Sequence, residues 1–427
     1  MERYSEYKDS GVKWLGEIPS HWEVKRLASF FIERRVKVSD KDYEPLSVTK
    51  RGVFPQWENV AKTNDGDNRK LVRKGDFVIN SRSDRKGSSG ISDRDGSVSL
   101  INIVLQPRDT IRVDFSNYLL KSYKFIEEFY RNGRGIVADL WTTRFDEMKM
   151  IKLAIPTIEE QAAIAKYLDS VTSKIDEAIA QQQKMIDLLN ERKQIIINDA
   201  VTKGLDPKAK MKDSGIDWIG QIPEKWEIRK LGALGLTING VSHDSTYFGT
   251  GYPFVSYSDV YKNYSLPQSV VGLANSTVQE RSYFSVEEGD VFFTRTSETV
   301  EEIGFASTCL KTIPDAVFAG FLIRFRPQKK CLNKFFSKYY FRANIHRNYF
   351  VKEMNLVIRA SLSQQLLKGL PILLPSLKEQ EEIANYLNQK TQEIDECLEN
   401  AKKLIVLLQE RKQIIINDVV TGKVKVA

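Results

Sequence analysis

The sequence predicts an α+β protein in which two α/β modules are separated by two long helices that pack as an antiparallel coiled coil, with a pseudo-twofold internal repeat. Three observations lead to this prediction. The nine residues ERKQIIIND occur twice, at Glu191–Asp199 and at Glu410–Asp418. Each copy ends a long segment with helical periodicity, and each such segment follows a stretch of short apolar runs broken by glycine, asparagine and proline. Repetition of this kind indicates a duplicated architecture.

The composition is that of a globular protein with a moderate positive charge. The 427 residues are 41% hydrophobic and 28% charged, with a formal net charge of +8. No apolar run approaches the roughly 20 residues that span a bilayer, and Met1–Gly11 has no apolar signal segment. The three cysteines are odd in number and widely spaced, which suits a reducing compartment. We therefore expect a cytoplasmic protein, whose charge permits a nucleic-acid partner without requiring one.

The first repeated block is predicted to be a turn that leads into a strand. Lys8–Leu27 is answered by Lys212–Leu231, with tryptophan and proline at fixed spacing and then an alternation of apolar and polar residues. Because the tryptophans are identical in the two halves, they cannot recognise two different ligands. We therefore assign them to the core. The coinciding positions are Trp14/Trp218, Gly16/Gly220, Pro19/Pro223 and Trp22/Trp226.

The second repeated block predicts one long helix in each copy. Pro156–Thr202 matches Pro375–Thr421 without a gap, and a stripe with alternating steps of three and four continues for about five heptads. Such a helix needs another helix along its stripe, and the other copy is the obvious partner. The capping boxes are Thr157 with Glu160 and Ser376 with Glu379. The positions expected to form the coiled coil or to dock partner proteins are Leu168, Ile175, Leu189, Ile196, Leu387, Ile394, Leu408 and Ile415. Between them the predicted stripe passes through Val171, Ala178, Gln182, Met185 and Arg192, and through Lys390, Cys397, Ala401, Leu404 and Arg411.

The parts between the repeated blocks keep a common skeleton but have divergent loops. Lys74–Arg82 aligns with Glu288–Thr296, and one helical stretch is predicted late in each module, at Asn117–Asn132 and at Leu332–Phe350. A retained scaffold with divergent loops is typical of paired modules that each recognise something different. The predicted division of the chain is therefore 1–155 and 206–374 for the modules, and 156–205 and 375–427 for the helices.

Loop-like stretches rich in Lys, Arg, Asn, Gln and Ser are candidate DNA contacts. In the first module they are Thr49–Lys70, Ser81–Ser97 and Asn132–Phe145. Arg and Lys can reach guanine edges, Asn and Gln adenine edges, and Ser or Thr phosphates. For any single residue a solvated loop is the simpler interpretation, but the whole set, in a basic protein with paired modules, favours DNA. The candidates are Thr49, Lys50, Arg51, Trp57, Lys62, Arg82, Arg85, Lys86, Ser88 and Arg144 in the first module, and Tyr261, Lys262, Arg295 and Arg359 in the second.

The sequence contains no motif that predicts catalysis. It lacks the phosphate loop G-x-x-x-x-G-K-[ST] and the Asn/Asp-Pro-Pro-aromatic tetrad, and the glycine-rich Gly133–Ala138 follows a predicted helix where a dinucleotide fingerprint needs a strand. The three histidines are isolated, without cysteine or carboxylate at metal-ligand spacing. Asp76 and Asp290 occupy matching Gly-Asp turns, for which a structural role is the better interpretation. We expect a non-catalytic chain with no cofactor and no metal of its own.

Four motifs recur in each half of the chain in the same order. They are the GxIPxxW pattern at Gly16–Trp22 and Gly220–Trp226, the Gly-Asp strand starts, the helix starts at Pro156–Leu168 and Pro375–Leu387, and the ERKQxII helix ends. In these motifs, over nearly its whole length, the chain resembles the specificity (S) subunit of type I restriction–modification systems.

The resemblance implies a function and a set of partners. Two target-recognition domains, held apart by the helices, would each read one half of a bipartite, gapped site in double-stranded DNA. The helices would dock two methyltransferase (M) subunits, which carry S-adenosylmethionine and methylate adenine N6. Restriction (R) subunits, which use ATP and Mg, would join that core. Because the recognition loops diverge, no individual base contact carries over.

Two other interpretations stay open on the residues alone. A coiled-coil scaffold without DNA specificity would bind only proteins, with an affinity indifferent to salt, whereas phosphate contacts weaken steeply as salt rises. An enzyme with an unfamiliar site in a module cleft would be active without partners. The duplicated helices with divergent loops favour the DNA reader over both.

Overall fold

The structure, a computed structural model, describes residues 2–56, 66–135, 141–297, 303–328, 331–353 and 360–426. The chain forms two compact units. Unit 1 comprises Met1–Gln183 and Lys402–Ala427, and unit 2 comprises Lys184–Ala401. Each long helix therefore contributes residues to both units. The division into modules and helices drawn from the sequence stays a prediction about chain segments, since each unit combines one module with parts of both helices.

Unit 1 contains thirteen described strands, three short helices and the start of a long helix. The strands are β1 Tyr7–Asp9, β2 Glu17–Pro19, β3 Glu23–Arg26, β4 Phe31–Glu33, β5 Lys37–Val38, β6 Leu46–Thr49, β7 Gly52–Pro55, β8 Arg69–Val72, β9 Phe77–Asn80, β10 Ser89–Ile91, β11 Gly96–Val98, β12 Asn102–Pro107 and β13 Lys152–Ile155. The helices are α1 Val113–Lys121, α2 Tyr123–Arg131, α3 Phe145–Met148 and the long α4 Ile158–Lys203, with 3-10 turns at Leu27–Ser29 and Ser83–Arg85.

Unit 2 also contains thirteen described strands, but it has five short helices rather than three, together with parts of both long helices. The strands are β14 Met211–Asp213, β15 Gln221–Pro223, β16 Glu227–Lys230, β17 Gly235–Asn239, β18 Phe248–Val255, β19 Leu273–Ala274, β20 Val291–Thr294, β21 Thr296–Ser297, β22 Ala306–Thr308, β23 Val317–Phe318, β24 Leu322–Pro327, β25 Ala360–Ser361 and β26 Pro371–Leu374. The helices are α5 Tyr257–Lys262, α6 Val278–Tyr283, α7 Lys334–Tyr340, α8 Ile345–Glu353, α9 Gln364–Gly369 and the long α10 Leu377–Val420, with 3-10 turns at Leu231–Ala233 and Ser245–Tyr247.

Both units are built on the same four-stranded antiparallel sheet. Its strand order is β10-β9-β12-β4 in unit 1 and β22-β20-β24-β17 in unit 2, so equivalent strands occupy equivalent places. The strands β9 and β20 are buried along their whole length and consist mostly of β-branched and aromatic residues, as buried strands favour. The smaller sheets differ: unit 1 adds β11-β8-β5 and the hairpin β6-β7, and unit 2 adds β19-β18-β23 and the pair β21-β25. The central sheet is therefore the same in both units, although the smaller sheets around it differ.

Each helix predicted late in a module is in fact two short helices. The prediction of one helix over Asn117–Asn132 is wrong because the chain is extended at Ser122, between α1 and α2. The Ser122 hydroxyl accepts a hydrogen bond from the Phe125 amide at 3.4 Å, so this residue caps a new helix. In the same way, Leu332–Phe350 divides into α7 and α8.

The two repeated blocks are joined in each unit by a tryptophan and a glutamate. The Trp22 indole N–H donates to Glu160 at 3.1 Å, and the Trp226 indole N–H donates to Glu379 at 2.9 Å. Both tryptophans are buried, as predicted, whereas Trp14 and Trp218, which the same prediction assigned to the core, are half-buried. Half of each predicted capping box is present, since Thr157 accepts from the Glu160 amide at 3.3 Å and the copy does the same. The carboxylate of the other half bonds to the indole, so the helix start is fixed to the turn of the first block.

The buried seam of the long helices differs from the predicted stripe at alternate positions. Leu168, Ile175, Leu387, Ile394 and Ile415 are buried, and Leu189, Ile196 and Leu408 are half-buried. The prediction is wrong at alternate intermediate positions, because the step after Leu168 is four residues rather than three, whereas Ala401 is buried and Gln182 half-buried on the predicted stripe. Thr172 is buried where Val171 was expected, and Ile186 is buried where Met185 was expected. In the copy, Thr391 and Leu398 are buried in place of Lys390 and Cys397, and Ile405 and Lys412 are half-buried in place of Leu404 and Arg411.

A hydrogen bond explains why a threonine is buried in the seam. The Tyr118 hydroxyl lies 3.2 Å from the Thr172 hydroxyl, and the Tyr339 hydroxyl lies 2.9 Å from that of Thr391. A buried polar group is tolerated when it is hydrogen-bonded. Hydropathy alone favours Val171 over Thr172, since the tyrosine comes from a distant part of the chain.

An ion pair between the two long helices is present at matching places in the two units. Lys412 binds Asp176 at 2.6 Å in unit 1, and Lys193 binds Asp395 at 2.6 Å in unit 2. From the pair in unit 1 to the pair in unit 2, the residue number rises on α4, from Asp176 to Lys193. On α10 it falls, from Lys412 to Asp395. The helices therefore run antiparallel, and the predicted α+β class with two long antiparallel helices is confirmed.

Candidate nucleic-acid interface

In unit 1 the central sheet brings two of the predicted loop stretches together. Where β9 ends, the Ser81 amide donates to Ile101 at 3.2 Å, and the Ser81 carbonyl accepts from the Thr143 amide at 3.0 Å. Arg82 then forms a bridge with Thr142, which also pairs with Arg134. The stretches that begin at Ser81 and at Asn132 are therefore neighbours, although some fifty residues separate them in the chain.

This junction is rich in exposed arginine. Arg82, Arg85 and Arg144 are all exposed, as a contact with DNA requires. Arg134 was not among the individual candidates, yet its side chain is 84% exposed and has a single long approach, 3.5 Å, to Glu147. Its position inside the Asn132–Phe145 stretch was the signal that could have found it. Four guanidinium groups at one end of a sheet suit a polyanion.

Three further candidates lie at the tip of the hairpin β6-β7. Lys50 and Arg51 are exposed there, and Thr49 is half-buried with its hydroxyl donating to the Gly52 carbonyl at 3.1 Å. The hairpin packs closely on β10, because a Cβ placed on Gly90 would lie only 3.0 Å from the Gly52 Cα. Glycine is therefore needed where the hairpin meets the sheet.

Lys86 and Ser88 are less available than the sequence suggested. The Lys86 ammonium binds Glu127 at 2.7 Å, on helix α2. Ser88 is only 6% exposed, so its side chain does not face solvent. Trp57, Lys62 and Arg359 lie outside the described residues.

In unit 2 the candidate Arg295 occupies the place that Ser81 holds in unit 1. Its amide donates to Phe321 at 2.9 Å, and its carbonyl accepts from the Leu362 amide at 2.7 Å. The next residue begins β21, which pairs with β25. The two units thus share a backbone junction and carry different side chains on it.

Tyr261 and Lys262 end helix α5, and they differ in exposure. The Tyr261 ring packs 5.3 Å from Phe305, and its carbonyl accepts from Arg342 at 2.6 Å. Burial lowers the pKa of Arg342, which is a core residue rather than a surface cation. Lys262 is exposed. Within this pair, the lysine is the better placed to meet a ligand.

The aspartates of the Gly-Asp turns hold the sheets rather than line a site. Asp76 accepts from the Arg73 amide at 2.8 Å and binds Arg34 at 2.6 Å. Asp290 accepts from the Glu287 amide at 2.8 Å and binds Arg326 at 2.7 Å. Among the described residues, no three His, Cys, Asp or Glu side chains are grouped so that they could hold a metal ion. No described helix is long and apolar enough to cross a membrane.

The comparisons with known proteins agree with this arrangement. Residues 19–186 and 223–406 match the type I restriction modification DNA specificity domain. The chain is 24% identical to the putative type I restriction enzyme MjaX specificity subunit of Methanocaldococcus jannaschii, over 98% of both chains. It is 25% identical to the MjaVIII specificity subunit of the same organism, over 98% of this chain and 97% of the relative.

Two solved structures have the same fold. One is a chain from a study of the complex assembly and conformational transition of the type I R-M system, with a TM-score of 0.72 and 16% identity over 95% of this chain and 99% of that chain. The other is the HsdS subunit from Thermoanaerobacter tengcongensis, with a TM-score of 0.55 and 18% identity over 97% and 100%. With two family matches that together cover most of the sequence, this chain belongs to the family of type I restriction–modification DNA specificity subunits.

Proposed function

We propose that this chain reads a bipartite, gapped site in double-stranded DNA, one half-site with each unit, and holds the catalytic subunits of a type I restriction–modification complex on its long helices. The observation that carries the proposal is the shared junction at the end of the central sheet. Its backbone hydrogen bonds are the same at Ser81 and at Arg295, whereas the side chains differ. Two readers of different sequences need this combination, because the scaffold must place a side chain and the side chain must choose the base.

Two matching rows of exposed apolar residues support docking of two copies of one partner. The rows are Met185, Leu188 and Ile195 on α4, and Leu404, Leu407 and Ile414 on α10. Steps of three and seven residues put each row on one helix face, and the six side chains are between 42% and 59% exposed. Apolar rows left in water favour burial against another protein. We assign them to two methyltransferase subunits, one for each helix.

The remaining assignments follow from the division of labour in such a complex. The methyltransferase subunits would hold S-adenosylmethionine, and restriction subunits would join them with ATP and Mg. This chain would be non-catalytic, without a cofactor of its own, and would work in the cytoplasm where the DNA is. The partner subunits would supply the catalytic residues, and this chain would direct them to the DNA site.

The test is a genome-wide map of adenine methylation in a host that expresses this chain with its methyltransferase subunit, compared with the methyltransferase subunit alone. We expect a gapped two-part motif that appears only when this chain is present. A map that is unchanged by the chain would overturn the proposal. In that case, DNA binding would be measured over a range of salt concentrations to test the scaffold interpretation. That interpretation predicts no affinity for DNA that weakens as salt rises.

A further inference from the structure

The end of the central sheet in unit 2 borders an open cleft of about 710 Å³. We name it the Arg295 cleft, after an arginine that lines it. Its walls include Asn239, His243, Phe254, Arg295, Phe321 and Ser361. No carboxylate lines it among the described residues. Among the described residues of the cleft, an anionic or electron-rich ligand therefore meets no carboxylate that would repel it.

The guanidinium of Arg295 is available to a ligand. Other arginines of unit 2 are bound to acceptors within the fold: Arg326 to Asp290 at 2.7 Å, and Arg324 to the Ser285 carbonyl at 2.5 Å. In the part of the chain that the structure describes, two hydrogen bonds hold the Arg295 backbone, and its side chain forms no ion pair. A fixed backbone with an uncommitted guanidinium suits recognition, since the loss of conformational freedom on binding is limited to the side chain.

Phe321 lies beside Arg295, and its large apolar side chain is exposed to solvent. It lies in the turn that enters β24, its carbonyl accepts from the Arg295 amide at 2.9 Å, and its side chain is 65% exposed. In unit 1 the matching place is held by Ile101, whose carbonyl accepts from Ser81. Both units therefore present an apolar side chain at this turn, but only in unit 2 is the residue bonded to it, at the end of the neighbouring strand β20, an arginine.

Resting on the function proposed above, we infer that Arg295 and Phe321 read the half-site of unit 2. Arg295 donates two hydrogen bonds to O6 and N7 of a guanine, and Phe321 packs on the methyl group of a neighbouring thymine. The cleft leaves room for the guanidinium to extend toward the major groove. The matched places in unit 1, Ser81 and Ile101, then account for a different half-site on the same scaffold.

The experiment is a selection from randomised DNA duplexes with the complete complex of this chain and its methyltransferase subunits. The variants are Arg295→Ala, Arg295→Lys and Phe321→Ala. Matched controls are Arg229→Ala, an exposed arginine paired with Glu227, and Leu236→Ala, which is 76% exposed on β17 outside the cleft. Thermal unfolding and subunit composition are measured for each, to show that folding and assembly are intact.

We expect wild type and both controls to select the same two-part motif. Arg295→Ala should lose its preference for guanine at one position of one half-site by roughly 5- to 150-fold. Arg295→Lys should lose most of that preference too, because a lysine keeps the charge but not the two-pronged geometry. Phe321→Ala should weaken a thymine preference in the same half-site by roughly fourfold, the value of one buried methyl-sized group.

The failures can be told apart. If wild type selects no gapped motif, the proposed function itself fails. If wild type selects one and the cleft variants select the same motif, the inference fails while the proposed function stands. A loss spread evenly over all sequences in Arg295→Ala, restored by Arg295→Lys, would mean a phosphate contact and would also overturn the inference.

Discussion

Unit 1 and unit 2 share a scaffold but differ in how the chain completes it. Unit 2 is a single stretch, Lys184–Ala401, in which Gly204–Lys210 leads directly from α4 into β14. Unit 1 is completed by the last residues of the chain, where the Lys425 amide donates to the Glu2 carbonyl at 2.9 Å and the Tyr7 hydroxyl donates to Lys423. In unit 1, hydrogen bonds thus connect the segment after α10 to the first repeated block. In unit 2, the covalent chain connects α4 to that block directly.

The contacts retained in both units mark what the fold requires, and the contacts that differ mark what each unit is for. The tryptophan–glutamate bonds, the lysine–aspartate pairs and the tyrosine–threonine bonds recur in both. The side chains at the end of the central sheet do not recur. The comparison teaches that the helices and their anchors are the same in both units, while the side chains at the exposed junction differ. Each prediction below tests how far this equivalence extends.

The largest effect is expected when the buried tryptophan is removed. Trp22→Ala and Trp226→Ala should each lower the free energy of unfolding of its own unit by about 3–5 kcal/mol, because a large buried side chain and its hydrogen bond to the helix start are lost. Denaturant titration followed by hydrogen exchange of peptides from each unit measures both. Leu236→Ala, an exposed change, should cost under about 0.5 kcal/mol. Very unequal losses at the two tryptophans would break the equivalence of the units.

The exposed apolar rows should bind one partner each. Leu188→Asp or Leu407→Asp should weaken one of two methyltransferase sites by about 100-fold, near 3 kcal/mol, since a charge would be buried in an apolar contact. Native mass spectrometry of the purified complex should then find one methyltransferase subunit where wild type has two. Asn190→Asp, on another face of α4, is the control. Loss of both subunits from either single variant would contradict independent docking.

The glycines after the long helices should show an asymmetry. Gly204 and Gly422 both have φ near +73°, so an alanine at either should cost about 1–2 kcal/mol. A Cβ on Gly422 would also lie 2.4 Å from the Pro19 Cδ, whereas one on Gly204 would lie 3.2 Å from the end of the Glu379 side chain. Gly422→Ala should therefore cost about 2 kcal/mol more than Gly204→Ala. Equal costs by denaturant titration would mean that the Pro19 turn yields freely.

The ion pairs between the helices should contribute little. Lys193→Ala and Lys412→Ala should each cost about 0.2–1 kcal/mol, because the aspartate of each pair remains more than half exposed. Raising the salt concentration should shrink both effects together. If one lysine costs several times more than the other, measured by chemical denaturation at low salt, that pair has a role its counterpart lacks.

The smallest effect concerns pH and distinguishes unit 2. A hydrogen bond from the Thr277 amide, with others from His243 and the Thr277 hydroxyl, lowers the pKa of Glu280 from 4.5 to about 2. The folded-state pKa lies below the unfolded one, so the stabilisation is present above about pH 4.5 and is lost as the pH falls toward 2. Glu280→Gln should remove this pH dependence from unit 2, with hydrogen exchange of unit 1 as the internal reference. An unchanged acid profile would contradict the assignment.

Much of the scaffold was predictable because it depends on local rules. Helical periodicity, the threonine and serine at the helix starts, and the tryptophan spacing are all readable along the chain. The duplication made these signals stronger, since each was written twice. The identity of the family followed from the same motifs. Of the candidate contacts, Arg82, Arg85 and Arg144 lie together at one junction, while Lys86 is paired with Glu127 and Ser88 is buried.

The rest depended on partners that are distant in the chain. The sequence by itself determined the duplicated scaffold, the long helices and the class of function. Only the tertiary structure decided that Thr172 rather than Val171 enters the seam, because Tyr118 supplies its hydrogen bond. Only the tertiary structure put Phe321 beside Arg295, because the pairing of nonadjacent strands sets which turns meet. Periodicity and capping act over a few residues, whereas burial of a polar group and the meeting of two turns are settled by contacts that no local pattern records.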